Sequence, residues 1–544
     1  MFRTALKWVV APVLALMLSG AAAAATIPDR VVQAARDRIA AGEYPALVIA
    51  VIDNGKVEIE GYGKLDNGAA PDGDTVFEIG SVTKTFSATI LADRVTRGPL
   101  TLDTAVATLL PDFTIPSRGG KTITLGDLAT QHSGLPRLPD NMHPADPKNP
   151  YADYDATKLK AFLAGYTLPR DPGASYEYSN LGFGLLGTAL AANARADYRT
   201  LLRQTILAPL GMNDTDTVTT PALAARMAPG HDMAGHPQPN WDLTALAGAG
   251  AIRSTANDML KYLRANMGEP SPLAAAMTLA HAPRSDGPPA NRIGLAWMTL
   301  STAGAGPIVW HNGMTGGYAS AVAFTADGKR GVVVLTNAAV EVDDLAFATL
   351  DPAAPLAPAH RAIALSSSEL DRYTGRYQLA PNFILTVSVI EGQLLAQATG
   401  QGAFPIFASA KDEFFARIAG IAISFTRDTH GAVSGLVLHQ NGDHPATRLP
   451  DPLTVTLDAQ TLAAYAGKYR LAPEAVVDVQ VQGGGLMAQL TGQPAIPLFA
   501  SARDKFFFKV VEASIDFERD VTGAVVALVL HQGGRDMRAP RIAP

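Results

Sequence analysis

Three stretches of this sequence combine side chains whose types and spacing could serve nucleophilic catalysis. The first is "DTVFEIGSVTKTFSATILADRVTRG", Asp74 to Gly98. Val82, Phe86, Ile90, Leu91 and Val95 recur with a helical period, so a helix is expected to begin near Ser81. Lys84 then lies three residues on, over the same face as Ser81. A hydroxyl at that end of a helix faces the positive pole of the helix dipole, where developing negative charge is stabilised. Burial and the same dipole favour an uncharged lysine, which can accept the hydroxyl proton. The competing explanation is a serine N-cap with an ordinary lysine in the first turn.

The second stretch, "DPGASYEYSNLGFGLLGTAL", runs from Asp171 to Leu190. A Pro-Gly turn leads through Tyr178-Ser179-Asn180 into an apolar helix. A tyrosine hydroxyl can relay a proton between nucleophile and leaving group, and an asparagine can hold a substrate amide. Here the competing explanation is a packed ring and an asparagine cap. The third pattern, His-x-Gly, occurs as His132-Ser133-Gly134, His311-Asn312-Gly313 and His531-Gln532-Gly533. His132 sits at a helix end before a Gly-Leu-Pro stop, where packing explains it. The counterpart of His531 in an internal repeat, His439-Gln440-Asn441, lacks the glycine. Only His311 follows a β-rich run, "GPIVW", where a strand edge can present its backbone to a substrate.

The elements that must position these residues are legible in part. "ALVIAVIDNGKVEIEGYG" (Ala46 to Gly63) is a hairpin turning at Asn54-Gly55, and "ASAVAFTADGKRGVVVLTN" (Ala319 to Asn337) is another turning at Asp327-Gly328. The pattern between them is mostly helical, so residues 27–350 are expected to form one α+β unit with a sheet built from both ends. The Pro/Ala-rich stretch at 351–366 reads as a linker. Beyond it lies a duplication. "YTGRYQLAP" at Tyr373 returns as "YAGKYRLAP" at Tyr465, and "FASAKDEFF" at Phe407 as "FASARDKFF" at Phe499, each pair 92 residues apart. The copies, 367–450 and 456–544, alternate apolar and polar residues in short runs, as small antiparallel β-barrels or sandwiches do. Neither copy shows a cluster of ionisable groups, so a structural or docking role is expected of both.

Composition removes other classes. The 544 residues carry a formal net charge of −6, which gives no electrostatic reason to expect nucleic acid. Residues 1–25 read as an export signal: Arg3 and Lys7, an apolar run from Trp8, then "SGAAAAAT" as a cleavage region. An uncleaved anchor is the alternative; with cleavage, the mature chain has no stable membrane span and is periplasmic or secreted. Cysteine is absent, which excludes disulfides, a thiol nucleophile and cysteine-held zinc. The eleven histidines are scattered without a metal-binding spacing, so no metal and no cofactor are expected. The expected partner is a small-molecule or peptide substrate, and the oligomeric state stays open.

Ser81-Val82-Thr83-Lys84, Tyr178-Ser179-Asn180 and His311-Asn312-Gly313, in that order, resemble the penicillin-recognising serine hydrolases. That family includes class C β-lactamases, DD-peptidases, D-aminopeptidases and related esterases. "ITLGDLATQHSGLP" (Ile123 to Pro136) and "GAGAIRSTANDMLKY" (Gly248 to Tyr262) look like it too. The resemblance implies a β-lactamase-like antiparallel sheet flanked by helices, with a helical lobe. It implies that Ser81 attacks a carbonyl, that Lys84 and Tyr178 share the proton transfers, and that Asn180 orients the substrate amide. His311 and Gly313 would form a third wall, with His311 facing Tyr178 or a substrate carboxylate. The backbone N–H groups of Ser81 and Met314 would form the oxyanion hole, and water would hydrolyse the acyl-enzyme. The duplicated modules resemble the lipocalin-like domains that trail some D-aminopeptidases. One departure stands out: β-lactamases usually carry Lys-Thr-Gly where this chain has His311-Asn312-Gly313. That directs the expectation toward amide bonds of small D-residue-containing peptides, peptidoglycan-derived ones among them. A β-lactamase or carboxylesterase using the same site is the alternative, and a penicillin-binding or sensor protein without turnover the third reading.

Overall fold

The computed structural model describes residues 27–542 apart from 99, 391, 400, 419, 441, 451–452, 473–474, 492–494, 510, 512 and 533–534. The export signal expected at residues 1–25, and Gly533 of the last His-x-Gly, lie outside the described residues.

The first hairpin is β1 (Ala46–Asp53) and β2 (Lys56–Gly63). Asn54 and Gly55, at φ 49° and 82°, supply the two left-handed residues that a tight two-residue turn needs. β3 (Ser285–Asp286), β4 (Asn291–Ile293), β5 (Met298–Thr302), β6 (Gly306–Met314), β7 (Ala319–Thr325) and β8 (Arg330–Thr336) complete an eight-stranded sheet in the order β2-β1-β8-β7-β6-β5-β4-β3. The join between its halves is antiparallel, with Leu47 opposite Thr336 and Ile52 opposite Gly331. The intervening helical segment is therefore an insertion between two parts of one sheet, as the order of patterns predicts.

Both faces of the sheet are covered, and β1 records this residue by residue. Val48, Ala50 and Ile52 enter the core on the helical-lobe side, while Leu47, Ile49 and Val51 enter the opposite core. A strand covered on both faces reads as an unbroken apolar run rather than an alternation. The flanking helices used below are α1 (Asp29–Ala40), α2 (Thr83–Arg97), α3 (Asn180–Ala194), α4 (Ala256–Asn266) and α5 (Asp343–Leu350). α1 and α5 cover the outer face, whose core includes Val31, Leu345 and Ala348. α2 and α4 lie under the other face, where the Phe86 ring stacks on Tyr262 at 3.9 Å.

Past residue 366 come two eight-stranded meanders with the same strand order. The first, from Gly375 to Arg448, is a closed barrel, with Tyr377 pairing Arg448. In the second, Gly467 to Pro540, an isolated bridge between Tyr469 and Arg541 brings the ends together. The expectation that the repeats gather no ionisable cluster is corrected. In the first, Tyr373 donates to Asp412 at 3.0 Å and Arg427 Nε donates to the same carboxylate at 2.9 Å. In the second, Tyr465 and Arg519 meet Asp504 at 2.9 and 2.8 Å. These partners are far apart along the chain, so no local window contains the cluster.

The stretch 351–366 is fastened rather than free. Arg30 donates to the Asp351 carbonyl at 2.7 Å, Arg38 to the Ala357 carbonyl at 2.9 Å, and His360 N–H to Glu43 at 2.6 Å. The first barrel continues this seam: His360 stacks on Phe415 at 4.7 Å, and Arg417 donates to the Met233 carbonyl at 2.8 Å.

Candidate active site

A 3-10 turn, Gly80–Val82, opens into α2 and sets Ser81 at the junction. Gly80 holds φ 47°, and a methyl group there would lie 2.7 Å from Met314 N. Only glycine lets this turn press against the end of β6. One turn into the helix, Lys84 is fully buried. Its Nζ lies 2.8 Å from Ser81 Oγ, from Asn180 Oδ1 and from the Ala249 carbonyl oxygen. Burial first, and the positive Arg137 second, hold the Lys84 ammonium well below the ordinary lysine range. Neither amide oxygen can donate, so a neutral amine gives its two hydrogens to them and keeps its lone pair for the Ser81 proton.

Tyr178 approaches Ser81 from the other side and donates to Oγ at 2.6 Å. Burial pushes its hydroxyl upward, so it stays a protonated phenol. The backbone around it is tightly held. Ser179 N–H donates to Gln131 at 2.7 Å, the Ser179 hydroxyl donates to the Pro136 carbonyl at 2.6 Å, and it accepts from Gly182 N–H at 2.8 Å. Ser179 is thus the N-cap of α3 and Asn180 its first helical residue, in place of the asparagine cap that competed with the functional reading. Asn180 turns Oδ1 to Lys84 and Nδ2 toward the Tyr151 hydroxyl at 3.4 Å.

The third wall is the end of β6. β5 ends its pairing at Met298 opposite Trp310, leaving His311 to Met314 without a strand partner on that edge among the described residues. Thr315 N–H donates to the Tyr318 carbonyl across the turn to β7. Amide directions alternate along a strand, so Met314 N–H points to the open edge. A methyl group at Gly313 would lie 2.0 Å from the Ile79 carbonyl oxygen and 2.8 Å from Ser81 N. Gly313 therefore lets the end of β6 lie directly against the Ile79–Ser81 backbone.

His311 is buried, and Nδ1–H donates to the Asn312 carbonyl at 2.6 Å. Burial lowers its pKa to about 3, and any positive charge on Lys84 acts in the same direction. The Tyr178 hydroxyl is directed to Ser81 Oγ, so it does not donate to His311. His132 is buried with Nδ1 on the Thr130 carbonyl at 2.7 Å, and His531 pairs with Asp536 at 2.7 Å in the second barrel. Neither joins the site.

Several contributors escaped sequence reasoning. Ala249 offers only a carbonyl, and its one signal was membership of the "GAGAIRSTANDMLKY" stretch. Arg137 lies one residue past "ITLGDLATQHSGLP". Trp241 lines the cleft with Tyr151, and its backbone is clamped from both ends. Its N–H donates to Glu78 at 2.8 Å and its carbonyl accepts from Arg253 at 2.6 Å. Glu78 and Arg253, 3.5 Å apart, are both buried, and burial raises the Glu78 carboxyl. The residues lining this cleft all come from the segment before the barrels. Among the described residues no three His, Asp or Glu side chains gather where they could hold a metal ion.

Comparison with known proteins places the chain in a family. The Beta-lactamase family matches residues 30–353, and a domain of unknown function (DUF3471) matches twice, at 359–448 and 451–540. "Protein flp" of Staphylococcus aureus (strain COL) is 26% identical over 307 residues, covering 54% of this chain and 60% of that protein. "D-alanyl-D-alanine-carboxypeptidase/endopeptidase AmpH" of Escherichia coli (strain K12) is 29% identical over 221 residues, covering 40% of this chain and 56% of that one. The similarity thus spans less than two thirds of either relative. Among solved structures, a class C beta-lactamase superposes with a TM-score of 0.53 at 24% identity, over 60% of this chain and 95% of its own. "D-alanine Carboxypeptidase AmpC from Burkholderia cenocepacia" gives 0.50 at 25%, over 59% and 99%. The chain belongs to the β-lactamase family of serine hydrolases.

Proposed function

We propose that this enzyme hydrolyses amide bonds of small peptides containing D-residues, through an acyl-enzyme on Ser81. The observation that carries the chemistry is the position of Ser81 Oγ, 2.8 Å from the Lys84 amine and 2.6 Å from the Tyr178 phenol. Ser81 Oγ attacks the carbonyl carbon while its proton passes to Lys84 Nζ. The resulting oxyanion accepts from the N–H groups of Ser81 and Met314. Tyr178 then donates to the leaving nitrogen and regains a proton from Lys84, so the C–N bond breaks and the amine leaves neutral. Water repeats the attack on the ester, giving its proton to the same pair, and Ser81 is restored as the acid leaves. In this reading Asn180 and Ala249 orient Lys84, and Asn180 receives the substrate amide once the cleft is filled.

The choice of D-peptides is supported by the carboxypeptidase relative and the carboxypeptidase structure. The third wall offers an uncharged His311 in the place where β-lactamases usually carry a lysine. The apolar leader at residues 1–25 fits an enzyme that meets such peptides in the periplasm or outside the cell. The test compares wild type and Ser81→Ala on a D-alanyl anilide, p-nitrophenyl butyrate and nitrocefin, alongside labelling by a fluorescent penicillin. Turnover of the anilide by wild type, with activity and label both lost in Ser81→Ala, is expected. A preference for nitrocefin or the butyrate ester would replace D-peptides by the β-lactamase or esterase reading. Stoichiometric labelling without turnover would make the protein a penicillin binder.

A further inference from the structure

Arg137 is fixed beside the site by its own backbone. Its carbonyl accepts from the amides of Asn180 at 3.0 Å and Leu181 at 3.3 Å. The preceding carbonyl, of Pro136, takes the Ser179 hydroxyl. The residue is therefore tied to the same three-residue segment that holds the Tyr178 hydroxyl on Ser81. From this anchor an exposed side chain places its guanidinium carbon 5.0 Å from the centre of the Tyr178 ring. Among the described residues no carboxylate and no other side-chain acceptor pairs with that guanidinium. A cation resting on an aromatic face keeps its planar fork of donors free at the edge.

Among the described residues, the cations of the remaining walls are already committed. Lys84 is buried against Ser81 and works as a neutral base. Arg253 is committed to Glu78 and to the carbonyls of Thr217 and Trp241. His311 is neutral and has spent its Nδ1–H on the Asn312 carbonyl. The direction from Ser81 to Arg137 also has chemical meaning. In the proposed mechanism Tyr178 protonates the leaving nitrogen, and the guanidinium lies 5.0 Å from the centre of that same ring.

We propose that Arg137 binds a carboxylate on the leaving-group side of the scissile bond, making substrates with a free carboxylate one residue beyond that bond the preferred class. The cation missing from the third wall is supplied from the second. This inference rests on the acyl-transfer reading of Ser81 and narrows its substrate class.

The experiment uses the full chain as wild type, Arg137→Gln and Arg137→Lys. Two substrate pairs are compared: 3-carboxyphenyl acetate against phenyl acetate, and N-acetyl-D-alanyl-D-alanine against its C-terminal amide. The readout is the ratio of kcat/KM for the acid over its neutral partner. Arg137→Gln is expected to lower that ratio by about tenfold or more, chiefly through KM, the scale of one charge-assisted contact. Arg137→Lys restores part of it, since lysine supplies the charge without the fork. Added salt narrows the wild-type ratio. An unchanged ratio in Arg137→Gln, including equal losses on acid and neutral substrates, overturns the proposal. If the dipeptide pair is inert, the D-peptide reading fails while the ester pair still decides the role of Arg137. Ester hydrolysis that persists in Ser81→Ala would instead remove the acyl-transfer reading.

Discussion

In the proposed mechanism Lys84 is uncharged when it takes the Ser81 proton, so its environment would set the pH at which the enzyme works. Complete burial disfavours the ammonium, and the nearby Arg137 adds like-charge repulsion. Both effects move the pKa down, so the amine is available at pH values where an exposed lysine is protonated. A profile of kcat/KM for an uncharged ester should show activity lost as the pH falls through this depressed value. Arg137→Gln removes the repulsion and leaves the burial, so the acid limb should move to higher pH by a fraction of the total shift. A limb that does not move would mean that Arg137 is too well screened to act on Lys84. At this scale the sequence was informative about type and order: Ser81, Lys84 and Tyr178 do meet. It was uninformative about ionisation, because His311 reads as a titratable imidazole and only its burial and its bond to Asn312 make it neutral.

At the scale of elements, the site is an encounter between the start of α2 and the end of β6. The helix was visible in the spacing of its apolar residues, and the strand in the β-rich run before His311. Their contact was not, since Gly80 and Gly313 are 233 positions apart in the chain. The contact is tight enough that an added methyl at Gly313 would overlap the Ile79 carbonyl and crowd Ser81 N. In Gly313→Ala the strand end must retreat from the helix, separating the Ser81 and Met314 amides. The expected result is a fall in kcat of about 10²–10³-fold, the cost of losing one oxyanion donor, with a smaller change in KM. Steady-state kinetics beside a thermal melt would check it, and an unaltered kcat would remove Met314 N–H from the mechanism. The Ala249 carbonyl belongs to the same class of missed feature, because a backbone acceptor carries no residue-type signal.

Over the whole molecule, the first barrel meets the catalytic unit through the hydrogen bond from Arg417 to the Met233 carbonyl. The guanidinium also lies over Phe407 at 4.4 Å. Removing it in Arg417→Ala strips the Met233 carbonyl of this donor and should cost about 1–3 kcal/mol. A domain of this size should then melt a few degrees lower. Arg417→Lys should recover part of the loss, as the second copy carries Lys509 at the matching place, over Phe499 at 4.5 Å. Differential scanning calorimetry of the full chain would read both, and identical transitions in wild type and Arg417→Ala would argue against a load on this seam.

The sequence by itself determined the local elements, the existence of the duplication and the identity of the three motifs. Each of these is written in residue type and short-range period. Tertiary structure alone decided that the repeats are closed or nearly closed barrels with internal Tyr–Asp–Arg clusters, that the 351–366 stretch is pinned, and that His311 is a neutral buried ring. It also decided that Arg137 stands over Tyr178. Burial and the meeting of residues distant in sequence set protonation and backbone access, and neither quantity exists until the chain has folded.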